Sequence, residues 1–279
     1  MTHHLLCGLR RLVLLACLAL LPLGSLSAQD FTKQLALQTW TMRNMDFDAM
    51  VDFAARMDIP YLQMWSSRSG GHMNPSASWE TIKQQKEILE SKGLTMYSFG
   101  VTRLTRNEEE LRETFEFAKY MGVEVITAEP SAYRQLDLLE AFAIVYDIKV
   151  ALHNHDIYSP YGNPKVVQNL LEGRDRRLGV CLDIGWMTTT RLDVEEVYRQ
   201  YGDRVLDIHL KDKIVTPSDE GDQYTDVDIG TGDANLVGLF NALRETGYTG
   251  RIAIETDQNL QDPTAFVRGA IAFVKAQSP

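Results

Sequence analysis

At 279 residues, with 44% hydrophobic and 24% charged side chains, the chain has ordinary globular composition and enough length for one large α/β domain or two small ones. Its net charge of −10 would repel a polyanion on average, which argues against nucleic acid as a partner. Three cysteines, Cys7, Cys17 and Cys181, are too few and too scattered for a disulfide framework.

The chain opens with Arg10 and Arg11 ahead of an apolar run at 12–23, followed by Leu26-Ser27-Ala28, small residues suited to cleavage. That is the pattern of a secretory signal peptide; the run is short for a membrane span and is broken by Pro22 and Gly24. Residues 1–28 are therefore expected to be a signal peptide, and residues 29–279 a periplasmic or secreted domain with no membrane association after cleavage. Cys17 and the paired arginines are weak cues to lipidation and twin-arginine export, and neither is adopted. Cleavage would take two arginines and no acid, moving the net charge from −10 to −12, and would leave Cys181 as the sole cysteine. Stability must then come from a hydrophobic core, which a chain of this length can supply.

From residue 34 a single rhythm repeats eight times: a β-rich run, a polar turn, an amphipathic helix and a Gly or Asp turn. Strands are predicted at 35–42, 61–66, 95–101, 124–131, 149–156, 178–186, 205–211 and 251–257. Helices are predicted at 47–57, 79–92, 108–121, 136–147, 164–171, 194–201, 236–246 and 263–276. Asn107 with Glu110 and Asp193 with Glu196 have the spacing of a helix cap and its third residue, and Asp262-Pro263 is a cap followed by proline. Gly93, Gly122, Gly173, Gly202 and Gly247 each follow a helical run. Eight strand–helix units without a linker predict a single (β/α)₈ TIM barrel. An open doubly wound sheet fits less well, because no Gly-rich phosphate loop follows the first strand. Two long loops, 67–78 and 212–235, fall on the catalytic face of such a barrel as candidate lids or simply solvated loops. Gly230 and Gly232 read as a tight turn closing the second of them.

In a barrel, polar residues at strand C-termini face the site. The last five strands end in groups capable of metal binding or acid–base work: Glu129, His153 and His155, Asp183, His209 and Lys211, and Glu255. Alternation supports the placement. Asp207, His209 and Lys211 share one face against Leu206, Ile208 and Leu210, and Asp183 lies with Gly179, Cys181 and Gly185. Carboxylates converging in a barrel mouth need a cation, protons or an Arg/Lys partner. A divalent metal meets that need economically, and imidazole plus carboxylates suits Mn²⁺, Zn²⁺, Co²⁺ or Fe²⁺ better than Ca²⁺.

Leu-His-Asn-His at 152–155, Cys-Leu-Asp-Ile-Gly at 181–185, Asp-Ile-His-Leu-Lys-Asp at 207–212, Gly-Thr-Gly-Asp-Ala-Asn at 230–235 and Ile-Glu-Thr at 254–256 together resemble the xylose-isomerase-like barrel superfamily. That group includes sugar phosphate isomerases and epimerases, inosose dehydratases and endonuclease IV. The resemblance implies metal ligands at His153, Asp183, His209 and Glu255, with the choice between His153 and His155 open. It departs from the ketose epimerases, which usually carry Glu at the position of His153, so their acid–base pair of glutamates is broken here. His-Asn-His is similar to a secreted or periplasmic subgroup, some of whose relatives cleave or hydrate 3-keto-glycosides. Trp186 stands where endonuclease IV has a metal-binding His.

The expected activity is a metal-dependent sugar isomerase, epimerase or lyase acting by proton abstraction next to a carbonyl. Glu129 and His155 are the acid–base candidates. Lys211 is expected to polarise or anchor a sugar oxygen, or else to form a salt bridge with Glu255 or Asp183. Trp40, Trp65 and Trp186 could stack on a sugar ring, with core packing as the alternative for Trp40. A small-molecule sugar is the expected partner, and barrels of this type often form homo-oligomers. The competing readings are an endonuclease IV-like phosphodiesterase and a non-catalytic sugar-binding barrel.

Overall fold

A computed structural model describes residues 29–67 and 70–278; the expected signal peptide at 1–28 lies outside them. Eight parallel strands close into a barrel: β1 (Leu35–Gln38), β2 (Tyr61–Met64), β3 (Thr95–Thr102), β4 (Val125–Ala128), β5 (Lys149–His153), β6 (Leu178–Asp183), β7 (Val205–Leu210) and β8 (Arg251–Ile254). Closure pairs Leu37 of β1 with Ile254 of β8. Every crossover carries a helix: α1 (Phe47–Met57), α2 (Trp79–Ser91), α3 (Glu108–Met121), α4 (Leu136–Tyr146), α5 (Pro164–Leu171), the short α6 (Ile184–Thr189) with α7 (Val194–Tyr201), and α8 (Leu236–Thr246); α9 (Thr264–Ala276) follows β8. Among the described residues no helix is long and apolar enough to cross a membrane.

Local chemistry sets the helix ends as expected. The Asn107 side chain accepts from the backbone N–H of Glu109 and Glu110, and Asp193 does the same for Glu195 and Glu196, each filling donors that the first helical turn leaves open. Asp262 accepts from the N–H of Thr264 ahead of α9. The five stop glycines all have positive φ.

Apart from β3, which runs one residue beyond its predicted end, the strands are shorter than the predicted runs, because their polar ends leave the ladder to serve the site. After β1 the chain turns into a 3₁₀ helix at Thr39–Met42, and after β6 it turns directly into α6, so the predicted strand residues Ile184, Gly185 and Trp186 are helical. Asp183 causes that turn: its Oδ1 accepts the Trp186 N–H at 2.9 Å, as an N-cap does.

The main core lies between barrel and helices, where Leu178, Val180, Leu182, Ile208 and Leu210 all point. The lumen is lined by small and polar residues, including Ala36, Ala151, Ala253, Cys181 and Asp207. Leu206 departs from the expected alternation. The register between β6 and β7 jumps from Val180–Val205 to Cys181–Asp207, so Leu206 is an extra residue that packs against the small lumen cluster of Val125, Ala151 and Cys181.

The two long loops each carry an antiparallel ribbon, Ser66–Ser67 with Gly70–Gly71 and Asp212–Thr216 with Gln223–Val227. The base of the second is fastened by Asp212, whose carboxylate accepts from the N–H groups of Gly230, Gly232 and Ala234. The glycine turn therefore wraps a buried carboxylate.

Candidate active site at the barrel mouth

The barrel brings together all seven of the polar residues singled out in the sequence. His153 and Asp183 are the last residues of β5 and β6, His209 lies one residue before the end of β7, and Glu129, Lys211 and Glu255 each follow their strands directly. Register places Asp183 beside His209 and His209 beside Ala253, so neighbouring strands present their side chains at one level. Asn154, the middle of His-Asn-His, ties two strand ends together: its amide donates to Asp183 O at 3.0 Å and its Oδ1 accepts from Asp183 N at 2.9 Å.

At the centre His153 Nε2 lies 3.4 Å from Asp183 Oδ2, His209 Nδ1 lies 3.6 Å from the same oxygen, and His209 Nδ1 lies 2.7 Å from Glu255 Oε2. These four atoms and His209 Nε2 are buried and make no regular hydrogen bond, Asp183 Oδ2 being met instead by Lys211 Nζ at 3.2 Å. Potential ligand atoms of His153, Asp183 and His209 all fall within 4.8 Å of one another. Buried polar groups are ordinarily hydrogen-bonded, so four convergent atoms without regular hydrogen bonds, two imidazole nitrogens and two carboxylate oxygens, form a donor set that fits a divalent transition metal. His155 lies outside this cluster and falls in a second group of potential ligand atoms with Glu129 and His153, so His153 is common to both.

Glu129 connects them. Its Oε1 lies 3.3 Å from His153 Nδ1 and makes a short contact to His155 Nδ1. The carboxylate thereby fixes the proton of His153 on Nδ1 and turns Nε2 toward Asp183, the arrangement by which an outer carboxylate orients a metal-binding imidazole. Burial would raise the Glu129 carboxyl, but the two histidines outweigh it and hold it at about 2. Burial likewise opposes a charged His155, and Glu129 reverses the balance, raising its pKa. The two thus form an ion pair in which His155, with 38% of its side chain exposed, is the member open to the cavity.

Lys211 is buried, and its Nζ lies 2.9 Å from Glu255 Oε1 and 3.2 Å from both Asp183 Oδ2 and Asp257 Oδ2. Both salt bridges anticipated from sequence form, with Asp257 as a third partner. Desolvation would lower its pKa; Asp183, Glu255 and Asp257 more than offset this and raise it well above the usual value. Burial opposes ionisation of Glu255 too, and Lys211 and His209 bring it down to about 2. Gly185 makes room for this ammonium, because a Cβ there would lie 2.6 Å from Lys211 Cγ.

The three tryptophans line the same cavity of about 390 Å³, together with Gln38, Arg103, Glu129, His153, His155, Lys211, Glu255 and Asp257. Trp40 meets Trp65 edge to face at 5.0 Å and donates its Nε1–H to Asp257 Oδ1 at 3.1 Å. Trp186 meets His155 edge to face at 5.3 Å. Lys213 of the long loop sits 4.7 Å over the Trp186 ring and pairs with Asp226 and Asp257. Asn154, Asp257 and Lys213 are the residues that sequence reasoning left without a role. Asp257 and Lys213 continue the inward alternation of Glu255 and Lys211, the one signal that could have found them.

Below the mouth lies a second polar layer. Gln63 Nε2 donates to Thr127 Oγ1 and Asp207 Oδ2, each at 2.7 Å, and Tyr97 OH donates to Asp207 Oδ1 at 3.0 Å. Burial nevertheless raises the Asp207 carboxyl to about 6, and it raises the thiol of Cys181, in the same lumen, to about 12.

The description "Xylose isomerase-like TIM barrel" matches residues 51–277. A search of the curated proteins finds no match. An uncharacterized protein from Parabacteroides distasonis ATCC 8503 superposes with a TM-score of 0.67 at 27% identity, covering 87% of this chain and 98% of that one. D-allulose 3-epimerase from Methylomonas sp. has a TM-score of 0.69 at 14% identity, covering 88% and 97%. The IOLI protein with a bound zinc atom has a TM-score of 0.60 at 17% identity, covering 88% and 96%.

Proposed function

The chain belongs to the xylose isomerase-like TIM barrel family, and on that premise we propose that it is a divalent-metal-dependent sugar enzyme that removes a proton from the carbon next to a carbonyl. The observation that carries this reading is the convergence of four buried donor atoms without regular hydrogen bonds on His153, Asp183, His209 and Glu255 beside an acid–base pair facing the same cavity. Those four residues would hold the metal, which when bound supplies a Lewis acid that stabilises negative charge on substrate oxygens. The zinc atom of the IOLI protein, on a similar fold, supports a divalent metal for this chain, with Mn, Zn, Co and Fe as the candidates.

The chain's own residues then divide the work. His155 exchanges the proton: its Nδ1 is engaged by Glu129, leaving Nε2 as the nitrogen that can meet substrate. Glu129, read from sequence as an acid–base group, acts here as a positioning residue for both histidines. Lys211 balances the carboxylates, and a substrate oxygen within its reach would share a proton donor already held in place. Trp40, Trp65 and Trp186 give the cavity the apolar surfaces that the C–H faces of a sugar ring require. The outcome is isomerisation, epimerisation, or β-elimination and its reverse, hydration.

The substrate is a small sugar or keto-sugar rather than nucleic acid, because the mouth is rich in carboxylates and the chain is acidic overall. Export by the segment at 1–28 would place the enzyme in the periplasm or outside the cell and favours neutral or oxidised sugars over phosphorylated ones.

Metal analysis of the purified protein, followed by NMR of candidate keto-sugars in D₂O, tests the reading. The protein is expected to carry a divalent metal and to exchange the C–H beside the carbonyl. His209→Ala and Glu255→Ala should each lower that exchange by about 100-fold or more, the lower end of what loss of an acid–base or electrostatic group costs. Absence of metal together with unchanged exchange in both variants would overturn it.

A further inference from the structure

The cavity over the metal-binding residues has a neighbour. A second cavity, of about 530 Å³, shares Trp65, Val101, Thr102 and Arg103 with it and contains none of the candidate ligands. Each volume lies within the roughly 300–1,000 Å³ of a small-molecule site, so a single sugar ring at the ligands leaves the second cavity unfilled.

Two residues on the shared boundary are built for a sugar that crosses it. Trp65 is braced on both sides, edge to face against Trp40 at 5.0 Å and against His72 at 5.6 Å, and Trp40 is itself bonded to Asp257. His72 is held in turn by Thr39 Oγ1 at 3.0 Å and Met45 O at 3.1 Å. The indole is thus an immobile, half-buried platform bordering both cavities. Arg103, at the same boundary, is exposed and forms no hydrogen bond or ion pair among the described residues, so its guanidinium donors are open. Beyond them the lining holds Glu110 and the hydroxyl of Thr105, which accepts from Asn107 N–H and keeps its own O–H to donate, while Thr114 Oγ1 is turned to Glu110 O; Pro75 and Leu104 add apolar surface, giving the mixture that the two faces of a pyranose ring require.

We propose that the second cavity is a sugar subsite and that the substrate is a glycoside of two rings, one over His153, Asp183, His209 and Glu255, the other across Trp65 with its hydroxyls facing Arg103. The proposal rests on the sugar-enzyme reading for the identity of the first ring. It adds the size of the substrate and the residues that select for it.

Calorimetric titration of the purified protein with glucose, glucose 6-phosphate, cellobiose, maltose and trehalose tests it. At least one disaccharide is expected to bind about tenfold more tightly than glucose, the gain that one added aromatic contact gives. Thr105→Trp, which fills the second cavity, and Arg103→Ala, at an exposed side chain that leaves the core intact, should each bring that ratio down severalfold. Affinities for all three disaccharides within about twofold of that for glucose would overturn the subsite. So would a preference for glucose 6-phosphate over every disaccharide, which would make Arg103 an anion contact on a single ring. Because binding is measured without turnover, loss of C–H exchange with a retained disaccharide preference would refute the chemistry alone, and the reverse result the subsite alone.

Discussion

The barrel lumen holds two buried polar layers that follow opposite rules. In the lower one, Gln38, Gln63, Tyr97, Ser98, Thr127 and Asp207 leave no buried side-chain atom without a partner. In the upper one, His153 Nε2, Asp183 Oδ2, both ring nitrogens of His209 and Glu255 Oε2 are equally buried and lack a regular hydrogen bond; they are held by charge contacts, Lys211 Nζ at 3.2 Å from Asp183 Oδ2 and His209 Nδ1 at 2.7 Å from Glu255 Oε2. A buried polar group without its hydrogen bond costs about 1–3 kcal/mol, so the upper layer depends on its ion pairs where the lower one depends on hydrogen bonds. Polar residues in a barrel core are therefore of two kinds. A closed network is explained by the chain itself, whereas convergent donor atoms short of hydrogen bonds are the place to test for a bound metal.

Four experiments would break or sharpen that contrast. Lys211→Met removes the ammonium that meets Asp183 and Glu255 and shares Asp257 with Lys213. Urea unfolding with chelator present should show a loss of about 3–5 kcal/mol, the cost of breaking a buried pair, and added metal should recover much of it. Equal stability of variant and wild type without metal would mean that the lysine is not the counter-ion.

Asp183→Asn keeps the shape but weakens a ligand. Metal affinity, read by competition with a chromophoric chelator, should fall about 100-fold or more, since even residues behind a ligand act on a 10–100-fold scale. Undiminished affinity would detach Asp183 from the site.

Asp207 carries the pH test of the lower layer. Its folded pKa, raised to about 6, exceeds the ordinary carboxyl value of 3.8, so the native state holds this proton more tightly than the unfolded chain does. Its contribution is therefore complete below pH 4 and is lost as pH rises through 6, by about 2–3 kcal/mol. Asp207→Asn lacks that slope. The stability difference between variant and wild type should shift in the variant's favour between pH 4 and pH 8, and a constant difference would show that Asp207 ionises normally.

Tyr97→Phe is the smallest change. Losing one donor to Asp207 should cost about 1–2 kcal/mol in thermal unfolding and leave metal affinity unchanged. A drop in metal affinity would join the two layers into one system.

Much of this was legible in the sequence, for physical reasons that also mark where legibility stops. Hydrophobic periodicity and glycine stops located eight units, and alternation put Asp183, His209 and Glu255 inside the lumen. Strand ends were overextended at Asp183 because one residue serves as both last strand position and helix cap, and no periodicity distinguishes the two roles. Leu206 was placed on the outer face because a bulge is invisible until the partner strand is known. The different settings of His153 and His155 come from Glu129 and Asp183 on neighbouring strands, and the three partners of Lys211 come from two other strands. Such choices depend on contacts between distant segments, which spacing along one strand does not encode.

Cys181 has a practical use that follows from its burial. With its thiol raised to about 12 and enclosed in the lumen, it stays protonated and unreactive toward alkylating probes. It is the one cysteine among the described residues, so a second cysteine introduced at exposed Tyr224, on the ribbon beyond β7, would be the single reactive thiol there. A dye at that position would report on the ribbon above the mouth while sugar or metal is added, with the native cysteine left in place.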